Sequence, residues 1–281
     1  MDKKHLRSSI FRHLDGIVTA PVIAALSTKN ILEFILDKKE LNLSEISNEF
    51  STNEGYLNVA LRILASQNYL NYMIDNERDW IQISTNENSE KAFSFQNIYK
   101  DLNEFLSDED LIKSREITEE LCRKWIQLFD QYKSILVQDS DENSLEFQLK
   151  KHIEGVLIGP IIVKLGMSGM FHKYFMEASF SAGEFHRNPE YFEIILDYLS
   201  ELGWFTKRNK NFQFTETGLF FARRASAYGV TVSYLPMFSK LPNLLFGKAN
   251  EIREIEIGED EIHVDREMNV WGSGGAHSTY F

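Results

Sequence analysis

Apolar positions follow a helical period over most of this chain, and the same arrangement occurs twice. Leu57, Ala60, Leu61 and Leu64 fall at i, i+3, i+4 and i+7, and Phe192, Ile195, Leu196 and Leu199 repeat that spacing. After each helix comes a turn, Tyr69-Leu70 or Trp204-Phe205, and then a polar hairpin tip. The tips read Asp75-Asn76-Glu77-Arg78-Asp79 and Lys207-Arg208-Asn209-Lys210-Asn211. A strand follows by alternation, with Ile81 and Ile83, or Phe212 and Phe214, facing inward around Gln82 or Gln213. Upstream, a first helix ends near Asn30 in one unit and Gly169 in the other, residues that tolerate a left-handed C-cap. In the first unit Ser44 reads as the N-cap of a short helix with Ile46 and Phe50 on its apolar face. Three helices and a two-stranded wing make a winged helix.

The two units align segment by segment. HLDGIVTAPVIAAL (13–26) matches HIEGVLIGPIIVKL (152–165), with His, acidic residue, Gly, Pro and closing Leu in register. YLNVALRILASQNYL (56–70) matches YFEIILDYLSELGWF (191–205), and WIQIS (80–84) matches NFQFT (211–215). The offset falls from 139 to 135 to 131, which predicts two deletions in loops of the second copy and none in its helices. The expected architecture is mainly α with small β wings: two tandem winged-helix-like units joined by a helical linker. Residues 1–96 form the first unit, 97–150 the connector, 151–262 the second unit, and 263–281 a terminal segment. In the connector, Ile117, Leu121, Trp125 and Leu128 follow helical spacing with Phe129 beside them, and 139–143 reads as a loop. A helix is expected over 218–227, a broken helix or loop over 230–247 with Pro236 and Pro242, and an acidic, Ile-alternating closing segment over 251–262.

Composition narrows the function classes. Across 281 residues the hydrophobic share is 43%, enough for ordinary cores, and the net charge of −12 repels nucleic acid and anionic membranes on average. Cys122 is the single cysteine, so no internal disulfide framework exists. The charged N-terminus lacks a signal-peptide apolar run, and the apolar stretch 155–163 stops at Lys164, so a cytoplasmic protein without a membrane span is expected. Winged helices often read DNA through the third helix. Here that helix carries Glu190, Glu193, Asp197 and Glu201 as one stripe in the second unit, and Glu54, Asn58 and Arg62 in the first. Carboxylates facing phosphates are unfavourable, so nucleic acid is not the expected partner. The Lys207, Arg208 and Lys210 tip is the one feature of the opposite sign.

The stretch ALSTKNILEFILDKKELNLSEISNEFSTNEGYLNVALRILASQNYLNYMIDNERDWIQIS (25–84) resembles the N-terminal domain of class I S-adenosylmethionine-dependent methyltransferases of the O-methyltransferase type. HVDREMNVWGSGGAHSTYF (263–281) looks like the segment leading into the cofactor domain of bacterial, often polyketide-associated, members. The resemblance implies a homodimerising, substrate-covering region ahead of a Rossmann-like domain. It implies S-adenosylmethionine and a small-molecule or carrier-bound acceptor in a full-length protein, and no cofactor for this chain alone. The glycine motif of the cofactor domain, an apolar strand followed by an acidic residue and Gly-x-Gly, does not occur; Gly272-Ser273-Gly274-Gly275 reads as a flexible loop or as a weak cofactor contact. The apolar ending Ser278-Thr279-Tyr280-Phe281 suggests the N-terminal part, or a relic, of a longer enzyme. With the missing domain, Trp271, Gly274, Gly275, His277, Tyr280 and Phe281 would line the cofactor or acceptor pocket. Met167, Phe171 and Met237 are candidates for an apolar lid, or ordinary core.

Other chemistry is sparse. His13 near Asp15 and His152 near Glu154 read as general-base pairs or as duplicated structural residues, the second preferred. His172, His186, His263 and His277 lack zinc-site spacing, and Cys122 has no evident His partner. The alternative to a methyltransferase region is a winged-helix transcriptional regulator or protein-interaction module.

Overall fold

The computed structural model describes residues 3–75, 77, 80–172, 176–252 and 263–278. The first unit runs α1 (Lys3–Ser27), α2 (Ile31–Lys38), β1 (Glu40–Asn42), α3 (Leu43–Phe50), α4 (Glu54–Ser66), β2 (Asn71–Asp75) and β3 (Trp80–Ser84). Helices α5 (Ser89–Ser94), α6 (Gln96–Leu106), α7 (Glu109–Lys113) and α8 (Glu119–Val137) lead to α9 (Leu145–Met167). The second unit continues with β4 (Phe180–Ser181), α10 (Pro189–Glu201), β5 (Phe205–Arg208) and β6 (Asn211–Phe214). Helices α11 (Glu216–Ala222), α12 (Ser226–Val232), α13 (Leu235–Phe238), α14 (Leu241–Phe246) and α15 (Arg266–Ser278) complete the described chain. The mainly helical, winged-helix class stands. Positions 76, 78 and 79 of the first hairpin tip, and 253–262 of the acidic closing segment, lie outside the described residues.

The predicted apolar faces are the buried ones: Leu57, Ala60, Leu61 and Leu64 on α4, and Phe192, Ile195, Leu196 and Leu199 on α10. Asn30 and Gly169 adopt the left-handed conformation (φ 57° and 90°) just beyond α1 and α9. Several local readings change. Ser44 lies inside α3, and Asn42 is the cap: its side chain accepts from the Glu45 amide while Glu45 accepts from the Asn42 amide. Helix α2, with Ile31, Leu32 and Ile35 buried, follows the Asn30 break directly and is too short to stand out by period. The broken region 230–247 resolves into the end of α12 plus α13 and α14.

Each wing has three strands, in orders β1-β3-β2 and β4-β6-β5, all antiparallel. The extra strands span three and two residues, too few to show alternation. Their register corrects the alignment of the copies. Leu41 pairs with Ile83 and Phe180 with Phe212; Tyr72 pairs with Ile83 and Lys207 with Phe212. Leu41 and Phe180 keep the offset of 139, and Tyr72 and Lys207 keep 135, so Ile83 corresponds to Phe212 at 129, not 131. A slip of two residues preserves the in-out pattern of a strand and is invisible to pattern matching. The earlier deletion also falls in a helix. Asn42 and Glu45 correspond to Ser181 and Glu184, which form the same capping box on a 3-10 turn (Ala182–Glu184), so α3 is shortened to one turn in the second copy.

The core is the crossing of α1 and α9. A Cβ on Gly16 would lie 2.4 Å from the His152 Cα, and a Cβ on Gly155 would lie 2.4 Å from the His13 Cα. The contact is reciprocal, as in an isologous interface, and it binds the units into one body. Each histidine then bonds into the opposite copy. His13 Nδ1 and the Tyr228 hydroxyl share a 2.7 Å hydrogen bond, and His152 Nδ1 and the Tyr99 hydroxyl one of 2.8 Å. Tyr99 and Tyr228 are themselves equivalents at the offset of 129, so the repeat extends through α6 and α12.

Both histidines are buried. Burial together with His13 and Arg12 pushes His152 down to about 3; burial also lowers His13, against the pull of Glu154. The carboxylate nearest His13 is Glu154 of the other copy, 3.6 Å from Nε2, and Glu154 is itself held by Lys151. The structural reading of the His pair accounts for this geometry. Helix α1 is long and apolar enough to cross a membrane by composition, and most of its apolar stretch is packed into this core, while Phe11 is exposed.

Gly16→Ala and Gly155→Ala each drive a methyl group into backbone, and each is expected to cost about 3 kcal/mol or more, toward the upper end for overpacked cores. Gly55→Ala in α4, whose Cβ would meet nothing closer than 3.4 Å, is expected to be neutral or to gain up to about 1 kcal/mol from helix propensity. Denaturant unfolding midpoints of the three variants check the contrast.

Candidate functional site

The terminal segment is not a flexible loop: residues 266–278 form α15, packed on α12 and α9. Asp265 begins it. Its carboxylate accepts from the Met268 amide at 2.9 Å, its own amide donates to the Ser233 carbonyl at 2.9 Å, and Asn269 donates to the Ser233 hydroxyl at 2.9 Å. Trp271 fills a notch left by two glycines. A Cβ on Gly166 would come within 2.8 Å of its ring, and one on Gly229 within 3.0 Å of the ring and 2.8 Å of the Gly272 Cα. Gly275 packs on Ser226 in the same way, while Gly274 faces open space. These glycines let helices approach closely, and the helical turn already uses the amides that a phosphate cradle would need.

Trp271 and Phe171 are brought together over Gly166, where a Cβ would sit 3.3 Å from the Phe171 ring. Met167, next to that notch, and Phe171 are half-buried against the core; Met237 is half-buried on α13. His277 falls within α15 but its side chain, like Tyr280 and Phe281, lies outside the described residues.

A cluster around Arg115 has no signature in the sequence. Its guanidinium forks onto Asp265, with one bond of 3.0 Å, and pairs with Glu267 at 3.0 Å, tying the connector to the root of α15. The Asp265 bond, the largest influence, raises Arg115 further above the usual arginine range. Two clefts open beside it. One, of about 700 Å³, lies between the starts of α8 and α10 and the end of α9, and is lined by Arg115, Ile117, Lys164, Leu165, Phe185 and Arg187 among others. The other, of about 940 Å³, lies between α7, α13 and the start of α15, and includes Lys113, Lys240 and Asp265.

Lys164 is the unusual residue of the first cleft. It is only 3% exposed, and among the described residues its ammonium donates to the Ser114 carbonyl and has no carboxylate within ion-pair distance. Burial lowers it to about 8, Arg115 pulls the same way, and Asp265 and Asp110 oppose. His186 in the same cleft is held structurally: Nε2 donates to the Ile117 carbonyl at 2.6 Å and Nδ1 accepts from the Asn188 amide at 3.0 Å. Cys122 does have a histidine neighbour, with Sγ 4.0 Å from His186 Nε2, but burial pushes the thiol up to about 11, away from nucleophilic use. Among the described residues no group of three His, Cys, Asp or Glu is placed to hold a metal.

The Lys164 value makes stability depend on pH. The unfolded lysine titrates near about 10.4, so between about pH 8 and that value the unfolded chain binds more protons than the folded one. Wild-type stability is therefore expected to rise relative to Lys164→Met across this window, with the difference least favourable below pH 8. Unfolding midpoints of both proteins from about pH 7 to about pH 10.5 measure it; a flat or falling difference overturns the assignment.

Comparison with known families gives two matches in chain order. Residues 6–72 match the AprA N-terminal domain, and residues 154–248 match the AprA winged helix domain. No curated protein matches the sequence. The start of the first unit is thus similar to the AprA N-terminal domain and most of the second unit to the AprA winged helix domain.

Proposed function

We propose that the chain is the non-catalytic, dimerising and substrate-covering region of an S-adenosylmethionine-dependent methyltransferase, working in the cytoplasm on a small-molecule or carrier-bound acceptor. The observation that carries this reading is the docking of α15. The segment whose sequence resembles the lead-in to a cofactor domain is clamped by Asp265 on Arg115 and by Trp271 in the Gly166–Gly229 notch. A helix held at its root and along its face gives a following domain a defined origin. The cleft of about 940 Å³, which includes Asp265 and Glu267, lies at that root.

The regulator reading is weakened by the second wing. Lys207 is turned onto its own third helix, pairing with Glu193 at 2.8 Å and Asp197 at 2.7 Å. Burial works against the ammonium, yet those two partners hold it above its ordinary range. Two carboxylates of the acidic stripe thereby take up one of the three cations of the tip, with Arg208 and Lys210 exposed beside it and Glu190 and Glu201 exposed on the same helix.

Calorimetry with S-adenosylmethionine on this chain and on a longer gene product tests the proposal. Binding confined to the longer protein is expected. Binding by this chain alone overturns the non-catalytic assignment, and DNA binding by this chain that weakens steeply with salt favours the regulator.

A further inference from the structure

We propose that the cleft of about 700 Å³ between α8, α9 and α10 is a binding site for a small organic anion, with Lys164 taking its carboxylate or phosphate head and the apolar wall of Ile117, Leu165, Phe185 and Phe192 taking its body. The site is built wholly from this chain's own residues and stands whichever reading of the whole protein holds.

The duplication supplies an internal control. Lys164 corresponds to Ala25 at the offset of 139, and Ala25 is buried on α1 as Lys164 is on α9. The first copy therefore fills the equivalent position without a charge, and the lysine stands in the second copy alone. Burying an ammonium is costly unless it is paired and fully hydrogen-bonded. Ser114 supplies one carbonyl for a group with three donors. The carboxylates around the cleft are otherwise engaged: Asp265 and Glu267 by Arg115, Asp110 by the Thr118 hydroxyl, Glu119 by Arg123 and Asn188, and Glu184 by the Ser181 cap. Glu116 is exposed. An entering anion would meet a buried ammonium that has no carboxylate at ion-pair distance among the described residues and only the longer-range fields of Asp265 and Asp110 to offset its charge, with exposed Arg187 also lining the cleft. Burial has already lowered Lys164 to about 8, so a bound anion is expected to move it back up.

Titrating the whole chain with hexanoate, hexyl phosphate, hexanol and hexylammonium, by calorimetry and by NMR of the Lys164 side chain, tests this. The expected result is saturable binding of hexanoate or hexyl phosphate, with the two arms separating carboxylate from phosphate recognition, and a raised Lys164 pKa in the complex. Hexanol and hexylammonium should not saturate. Lys164→Met should weaken the anion by about tenfold or more, while Lys164→Arg keeps most of the affinity. Lys164→Ala, which copies what the first unit carries at Ala25, serves if Lys164→Met fails to fold. No saturation by either anion up to about 10 mM, equal binding by the Met or Ala variant, or equal binding of hexanol overturns the proposal.

Discussion

The helices α1 and α9 meet at Gly16 and Gly155 so closely that the placement of nearly every other element follows from the contact. Each glycine lies against the backbone of the other helix's histidine, at a separation no side chain permits. Backbone contact at that range brings both helix axes together at one point, and most of the remaining apolar residues of both helices, Ile17, Ile23, Ile153 and Val156 among them, are buried around it. The histidines must then point away from the crossing. Each reaches a tyrosine of the opposite copy, so the polar groups trapped at the centre find these partners only when both units are in place. Two winged-helix-like units interlocked in this way share one core rather than sitting as two domains on a linker.

On that symmetric frame the two copies have diverged in their polar residues. Beside His152 the network runs through Tyr99 to Tyr69, whose hydroxyls are 2.8 Å apart. Beside His13 the equivalent of Tyr69 is Trp204, stacked on Phe221 at 4.5 Å, and a buried ionic pair of Glu154 with Lys151 takes over the polar role. Burial works against the Glu154 charge, yet His13 and Lys151 hold its carboxyl down at about 2. Its counterpart Asp15 is half-buried and moves the other way, raised by burial against Gln67 and Arg12. The same backbone geometry thus supports opposite electrostatics in its two halves, and the charged clefts gather where the connector meets the second copy, around Arg115, Lys164 and Asp265.

The second winged helix turns part of its wing charge inward. In the second unit the wing's Lys207 closes onto Glu193 and Asp197, stapling wing to helix. The two charged clefts lie elsewhere, around the junction where the connector, α9 and α15 meet. Gly272 and Gly275 belong to that junction as helix-packing positions, with Trp271 seated between Gly166 and Gly229.

Which faces of α4 and α10 are apolar, that the unit is duplicated, and that each copy ends in a wing can all be read from the chain alone, because helical and strand periods are local properties. Trp271 and Phe171 stand out there too, but not the fact that they meet over Gly166. The strand offset of 129 is beyond such a reading, since a two-residue slip leaves the alternation intact, and so the equivalence of Tyr99 and Tyr228 stays hidden until the strands are paired. Lys164 is equally silent: in sequence it is an ordinary lysine ending an apolar run. It takes the packed fold to show that α9 buries that position, that no carboxylate among the described residues comes to meet it, and that a cleft opens beside it. A period tells which side of a helix shuns water, but what covers that side, and what charge is trapped beneath, depends on partners far away in the chain.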